Sequence, residues 1–572
     1  MTIGGSTTSA EPRPGALNPA ERRQLSRLRR WGTTGALLMM VGSTSSYGAA
    51  TPIPNPVDGL RILGLLSRIG PAALAVSYSG IGLVVVCWFL IGRLTAPGRT
   101  RRLSRTQLTH TLAMWVVPFL VTPPIFSRDV YSYLAVGAMM VHGDNPYQSG
   151  PYDTLGDSNA LAHQVDARWQ HTSSPYGPAY LLIAKGVVLI SGNHVILGVL
   201  VQRFVELIGV ALIVWALPRL ARRCGKDPVS ALWLGALNPL LLFHLVAGGH
   251  NEALMIGLML SGLEIALQTG WNGTAGRWSV LAGSDTLRTA AGTAMITAAV
   301  GIKVTAAMAL AFLAIALARR AGGRWPDLFR SAGLLGGVAL LTFGVLTLLA
   351  DAGFGWISAL SAPGSVRSFL SFSTSLAVGA GQIGLLLGLG DHTTGTIEVM
   401  QPLGTAVGGA VAVLIMWQCW QRRVEPIQGL GIALGAFVLL SPVIQPWYLL
   451  WAALPLAAST GLSRYRRATI WLTAFFSVII MPNGATIPVF TIVQAVLVAA
   501  FVVGGVLLAL RRSGLPETDP APGGLLHPVT GVTGVSAGVV IDVPPAELDS
   551  TPVAGNPYPR NRDTDAHGPH RG

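Results

Sequence analysis

A carboxylate stands beside a guanidinium at the point where an apolar segment ends. Residues 109–126 read as a membrane span, and the chain then runs Ser127-Arg128-Asp129-Val130-Tyr131-Ser132-Tyr133. An ionisable pair at that edge is costly to keep unless it has a task. Asp129 is of the type that takes a proton from an attacking hydroxyl, the step needed when a sugar hydroxyl attacks an anomeric carbon. Arg128 can hold the carboxylate ionised or bind phosphate. The plain structural alternative is a helix cap with a surface ion pair.

Further polar clusters interrupt apolar sequence. The turn HGDNPY carries His142, Asp144, Asn145 and Tyr147. Asn-Pro forms turns, while amides and aromatic rings also grip sugars, and both readings stand. SPYGPAY supplies Tyr176. AGGHNE places His250, Asn251 and Glu252 behind two glycines, which fits either a polar interhelical turn or a site for sugar or phosphate. Lys303 interrupts the apolar run 287–318. It either snorkels to an interface or faces a lipid-linked phosphate. Arg367, within SAPGSVRSF, is the favoured phosphate partner because a guanidinium binds phosphate bidentately. Gln445, Trp447 and Tyr448 lie in SPVIQPWY; they read as an interfacial aromatic belt or as a carbohydrate platform. No phosphate-binding glycine loop with its lysine occurs, and HGDNPY lacks the histidine spacing of a metal site. The expectation is no metal and no cofactor.

The elements that must position these residues are membrane helices. Of 572 residues 51% are hydrophobic and only 11% charged, against about 25% charged in soluble domains. Mean hydropathy is +0.54. The net charge of +14 does not point to nucleic acid, because the arginines fall in short clusters between apolar spans and so signal orientation. Cys87, Cys224 and Cys419 show no paired spacing. Counting apolar runs predicts an all-α polytopic protein of about 14 transmembrane helices. The expected layout is a disordered N-terminus over 1–31, spans over 32–126, a catalytic loop over 127–177 and spans over 178–350. An outer segment with a partial helix follows over 351–402, then spans over 403–511 and a disordered tail over 512–572. Within the loop, 130–141 reads as an amphipathic helix on the membrane surface.

Arg22, Arg23, Arg27, Arg29 and Arg30 place the N-terminus in the cytoplasm. The cluster Arg93, Arg99, Arg101, Arg102 and Arg105 returns there two spans later, so Asp129 is expected outside. If 178–194 also spanned, Arg219, Arg222, Arg223 and Lys226 would fall outside, against the charge rule. A short or re-entrant helix at 178–194 removes the conflict. The polar clusters then share one membrane face with a loop of about 50 residues, longer than an ordinary connection. A lipid-linked-sugar flippase or other transporter would instead carry charges near mid-membrane in both halves.

The segments SRDVYSY, HGDNPY, SPYGPAY, AGGHNEALM, GIKVTA and SPVIQPWY, in this order over roughly residues 30–510, carry a family likeness. The chain resembles the polytopic GT-C glycosyltransferases that use lipid-phosphate-linked sugars. More narrowly it resembles the actinobacterial polyprenol-phosphomannose-dependent α-1,6-mannosyltransferases that build the mannan core of lipomannan and lipoarabinomannan. The resemblance implies Asp129 as the base in the first large extracytoplasmic loop. Many relatives have a second acidic residue beside it; this chain has Arg128, which suits a donor with one phosphate. The implied donor is polyprenyl-phosphate-mannose. The implied acceptor is a 6-hydroxyl of a mannan on a lipid anchor, and the implied course is inversion in one displacement. Arabinofuranosyl or capping mannosyl transfer would use the same architecture. The implied location is the plasma membrane.

Overall fold

The structure is a computed structural model of the whole chain, describing residues 15–268, 284–359, 368 and 370–512. Arg367, residues 1–14 and the tail 513–572 lie outside the described residues. The amino half holds α1 (Pro19–Gly42), α2 (Gly70–Leu94), α3 (Arg105–Phe119), α4 (Asp129–His142), α5 (Pro151–Leu155) and α6 (Pro178–Ser191). Next come α7 (Val195–Arg223), α8 (Pro228–Gly235), α9 (Glu252–Ala266), α10 (Ser284–Ile302), α11 (Met308–Ala321) and α12 (Trp325–Ala350). The carboxyl half holds α13 (Trp356–Ala359), α14 (Phe372–Leu386), α15 (Thr393–Trp420), α16 (Pro426–Leu440), α17 (Leu449–Ser459), α18 (Arg464–Ile479) and α19 (Val489–Arg512). Apart from one two-residue parallel pairing, Gly15–Ala16 with Arg101–Arg102, the described fold is all-α.

Six described helices are long and apolar enough to cross a membrane: Gly70–Leu94, Val195–Arg223, Val304–Ala321, Trp325–Ala350, Thr393–Trp420 and Val489–Arg512. Leu340, Leu348 and Phe501 on these helices are 78%, 80% and 83% exposed. Such surface is stable in lipid, where a helix satisfies its own backbone groups. The protein is a multi-pass membrane protein. Other apolar runs do not continue as single helices. The apolar run 229–247 breaks at Asn238-Pro239 into α8 and a π-helical stretch, Leu241–Ala247, because proline removes an N–H and blocks the preceding turn.

Two local readings are corrected. The N-terminus expected to be disordered through residue 31 is helical from Pro19. Asn18 accepts the Glu21 N–H and Glu21 reaches back to the Asn18 N–H, a reciprocal cap. The surface helix expected over 130–141 is instead buried throughout Val130–Met140. It packs on α6 and α7. A side chain at Gly137 would stand 2.3 Å from the Ala184 carbonyl oxygen, so only glycine allows that approach.

Ion pairs gather the basic clusters at one end of the bundle. Arg102 meets Asp227 at 2.8 Å and Arg223 meets Glu264 at 2.6 Å. Arg223 and Arg320 both donate to the Leu267 carbonyl, and Arg319 meets Glu425 at 3.3 Å. The helix α6 has 14 residues, about 21 Å at the usual rise and short of a hydrocarbon core of about 30 Å.

Candidate active site

The chain leaves α3 through Pro123-Pro124 and enters α4 at Asp129. The Asp129 N–H donates to Ser127 Oγ at 3.0 Å, and the carboxylate sits in the first turn, where the helix dipole favours negative charge. Asp129 Oδ2 lies 3.7 Å from His250 Nδ1. The same nitrogen stands 3.3 Å from the Tyr133 hydroxyl and 3.9 Å from Glu252 Oε2. The Trp447 ring lies on the His250 ring, 3.9 Å between centroids. Burial pushes the His250 imidazole below its ordinary pKa despite the carboxylates of Asp129 and Glu252.

Glu252 Oε1 accepts from Trp447 Nε1 at 3.2 Å and pairs with the Lys303 ammonium. Lys303 lies between α10 and the 3-10 turn Val304–Ala307. Its nitrogen is 3.4 Å from the Tyr448 hydroxyl and sits 4.5 Å over the Tyr448 ring. Burial works against this cation, but the Glu252 carboxylate outweighs it and keeps Lys303 charged.

The turn that carries His250 is held from α7. The buried Arg203 donates to the carbonyls of Leu120, Val246 and Ala247 at 2.8, 3.0 and 2.8 Å. Glu206 accepts from the Leu254 N–H at 3.1 Å and from Gln202 at 2.7 Å. Between these anchors Gly249 takes a φ of +68°, a conformation open to glycine and strained for other residues. Sequence reading passed over Arg203 and Glu206. Their signal was present: two ionisable residues inside the apolar run 196–218.

A cavity of about 1750 Å³ opens beside Asp129. Of the expected site residues, Asp129, Tyr176, Lys303, Gln445, Trp447 and Tyr448 line it. His250, Asn251 and Glu252 stand behind that wall, fully buried. Others tie loops together. Arg128 donates to the carbonyls of Thr51 and Gln164 and stacks on Tyr131 at 4.8 Å, and it does not pair with Asp129. Tyr131 donates to the Ala50 carbonyl, Asn145 to that of Ala352 and Tyr147 to that of Tyr176. His142 is exposed and Asp144 half-buried, and neither lines the cavity. Among the described residues no group of three His, Cys, Asp or Glu could hold a metal ion.

Two family models match in order along the chain. The N-terminal domain of α-(1→6)-mannopyranosyltransferases covers residues 29–319, and a C-terminal domain of the same enzymes covers 373–509. The chain belongs to this family. It is 41% identical over 522 residues to a probable α-(1→6)-mannopyranosyltransferase of Mycolicibacterium smegmatis, covering 88% of this chain and 92% of the relative. An α-(1→6)-mannopyranosyltransferase of Mycobacterium tuberculosis is 39% identical, over 87% of this chain and 90% of the relative. α-(1→6)-Mannopyranosyltransferase B of Corynebacterium glutamicum is 35% identical, over 83% and 80%. A solved archaeal oligosaccharyltransferase from Archaeoglobus fulgidus is similar over 82% of this chain and 62% of its own, with 12% identity and a TM-score of 0.36; nothing rests on that likeness.

The chain is therefore a glycosyltransferase, and the candidate site of this mannopyranosyltransferase-family protein draws on both matched segments. The N-terminal segment brings Asp129, His250, Glu252 and Lys303; the C-terminal one brings Gln445, Trp447 and Tyr448. The bond from Trp447 to Glu252 and the Lys303–Tyr448 contact join them. Neither segment alone carries the whole wall.

Proposed function

We propose that the protein moves mannose from polyprenyl-phosphate-mannose to a 6-hydroxyl of an α-1,6-mannan held on a lipid anchor, in lipomannan and lipoarabinomannan synthesis. The observation that carries this is the two-sided cavity. Its polar end holds Asp129 and Lys303, while Ala339, Leu340, Phe343, Ile397 and Phe437 form an apolar wall. A polyprenyl chain matches the wall by burial of apolar surface, and its phosphate matches the cation.

In this reading Asp129 takes the proton of the acceptor 6-hydroxyl. The oxygen bonds to the anomeric carbon as the bond from that carbon to the phosphate oxygen breaks, and polyprenyl phosphate departs with the electron pair. One displacement converts a β-linked donor into an α product. An ammonium has three N–H donors. Lys303 directs one to Glu252, the Tyr448 hydroxyl lies near a second, and the remaining capacity stabilises the charge that develops on the phosphate.

The test supplies membranes containing the protein with radiolabelled polyprenyl-phosphate-mannose and a short α-1,6-mannoside. Label passes to the mannoside. No transfer by a well-inserted chain would overturn the reading.

The site is proposed to face outward from the plasma membrane, supported by the basic clusters gathered at one end of the bundle. With Cys224 changed to serine, an impermeant maleimide on intact cells labels Asp144→Cys and spares Ala321→Cys. Equal labelling of both refutes this orientation.

A further inference from the structure

A single turn between α5 and α6 lines part of the cavity. Asp166, Arg168, Trp169, Thr172 and Ser173 all line the cavity that Asp129 lines. None of them belongs to the clusters that point to proton abstraction or phosphate binding.

The turn is built and fastened. Asp166 Oδ1 accepts from the backbone N–H and Nε of Arg168 at 3.1 and 2.8 Å, and Oδ2 accepts from Nη2 at 3.1 Å. The Trp169 N–H donates to the Asp166 carbonyl at 2.8 Å, and the Thr172 hydroxyl to the Arg168 carbonyl at 3.1 Å. The Gln170 carbonyl accepts from the Tyr152 N–H at 3.0 Å, and the Ser174 N–H donates to the Pro146 carbonyl at 2.8 Å. These bonds hold the turn at both ends, so the side chains on the cavity are presented in advance of any ligand.

Their chemistry selects a class of ligand. A carboxylate and a guanidinium locked together bring no net charge, yet they present both acceptors and donors. That suits neutral hydroxyls, which both give and receive hydrogen bonds, and it suits a phosphate poorly, since Asp166 would repel it. Among the described residues no other ring packs on the Trp169 indole, and the side chain is half-buried at the cavity wall. A flat aromatic face offers the C–H face of a pyranose a large apolar contact at little entropic cost. The apolar wall of α12 and α15, supplied by different elements, is left for the lipid. The turn is also near the candidate base. The hydrogen bonds that Arg168 donates to Asp166, with a contribution from the charge of Asp129, hold its guanidinium more firmly charged than usual.

We propose that the 166–173 turn is the acceptor subsite, binding a neutral mannose unit of the growing glycan next to the hydroxyl that Asp129 deprotonates. This rests on the mannosyl-transfer reading above. The subsite grips sugar through the Trp169 face and the polar edge of the Asp166–Arg168 pair, and leaves the donor to Lys303 and the apolar helices.

The experiment uses the full chain in membranes or detergent, radiolabelled polyprenyl-phosphate-mannose and an α-1,6-mannotetraose, with wild type, Trp169→Ala, Trp169→Phe and Arg168→Ala. The expected result is an acceptor KM raised about 3–10-fold in Trp169→Ala and Arg168→Ala, with donor KM unchanged and Trp169→Phe close to wild type. A shift in donor KM instead, or no shift in either, overturns the subsite. Thermal midpoints in detergent identify any variant that misfolds. If the wild type transfers nothing from this donor, the functional reading fails. Binding of the mannotetraose, read by saturation-transfer NMR, then decides the subsite separately. Binding weakened by Trp169→Ala supports it; equal or absent binding overturns it.

Discussion

Asp129→Asn lowers mannosyl transfer by about 10²–10⁴-fold, the range over which a positioned base acts, while the protein keeps its place in the membrane. The effect falls on turnover because the carboxylate has little structural work. Its oxygens lie 3.7 Å from His250 at the nearest approach, and the turn before α4 is held by the Ser127 hydroxyl on the Asp129 N–H, which the variant retains. Asparagine keeps the volume and can still accept a bond from a hydroxyl, but it cannot take the proton. The measurement is initial rate at saturating donor and acceptor, with the thermal midpoint in detergent beside it. A rate within a few-fold of wild type would remove Asp129 from the role of base. A large fall in midpoint would make it a structural residue.

Glu252→Gln is expected to lose both stability and activity, through a different cause. Glu252 is fully buried, and its partner Lys303 has a side chain only 19% exposed. Removing one member of such a pair leaves the other charge uncompensated, which costs about 3–5 kcal/mol. The double variant Glu252→Gln/Lys303→Met removes the stranded charge as well. It should recover most of the lost stability and none of the lost transfer, because the phosphate then lacks its cation. Thermal unfolding in detergent and the transfer assay, run on both single variants and the double, separate the two effects. Recovered activity in the double variant would make Lys303 a purely structural partner. Unchanged stability in Glu252→Gln would mean that the pair does not bear on folding.

Much of the site was legible as clusters and little of it as contacts. The turns at 127–133, 247–252, 301–303 and 441–448 each stood out as polar residues inside apolar sequence, and the structure brings all four together. HGDNPY stood out for the same reason, yet Asn145 and Tyr147 donate to the carbonyls of Ala352 and Tyr176 and do not line the cavity themselves. Arg128 was read beside Asp129 because it is adjacent in sequence. Adjacency does not set direction, and its guanidinium turns to the carbonyls of Thr51 and Gln164. Arg168 and Trp169 were invisible as site residues because a polar residue within a polar loop carries no transfer penalty to draw notice. The buried α4 was misread for a related reason. Its glycine and alanines leave it weakly patterned, and only the close approach of α6 shows that every face is covered.

The sequence by itself determined the solvent, the all-α class and the prominence of Asp129. Each follows from the cost of placing one segment or one charge in hydrocarbon, and a segment meets that cost whatever its neighbours are. Only the tertiary structure decided which buried charges are partners. Glu252 and Lys303 are 51 positions apart and Trp447 is 195 from Glu252, and no spacing rule connects them. Their pairing is a property of helix packing: once α9 and α10 pack side by side, a carboxylate and an ammonium that would each be prohibitive alone become mutually stabilising.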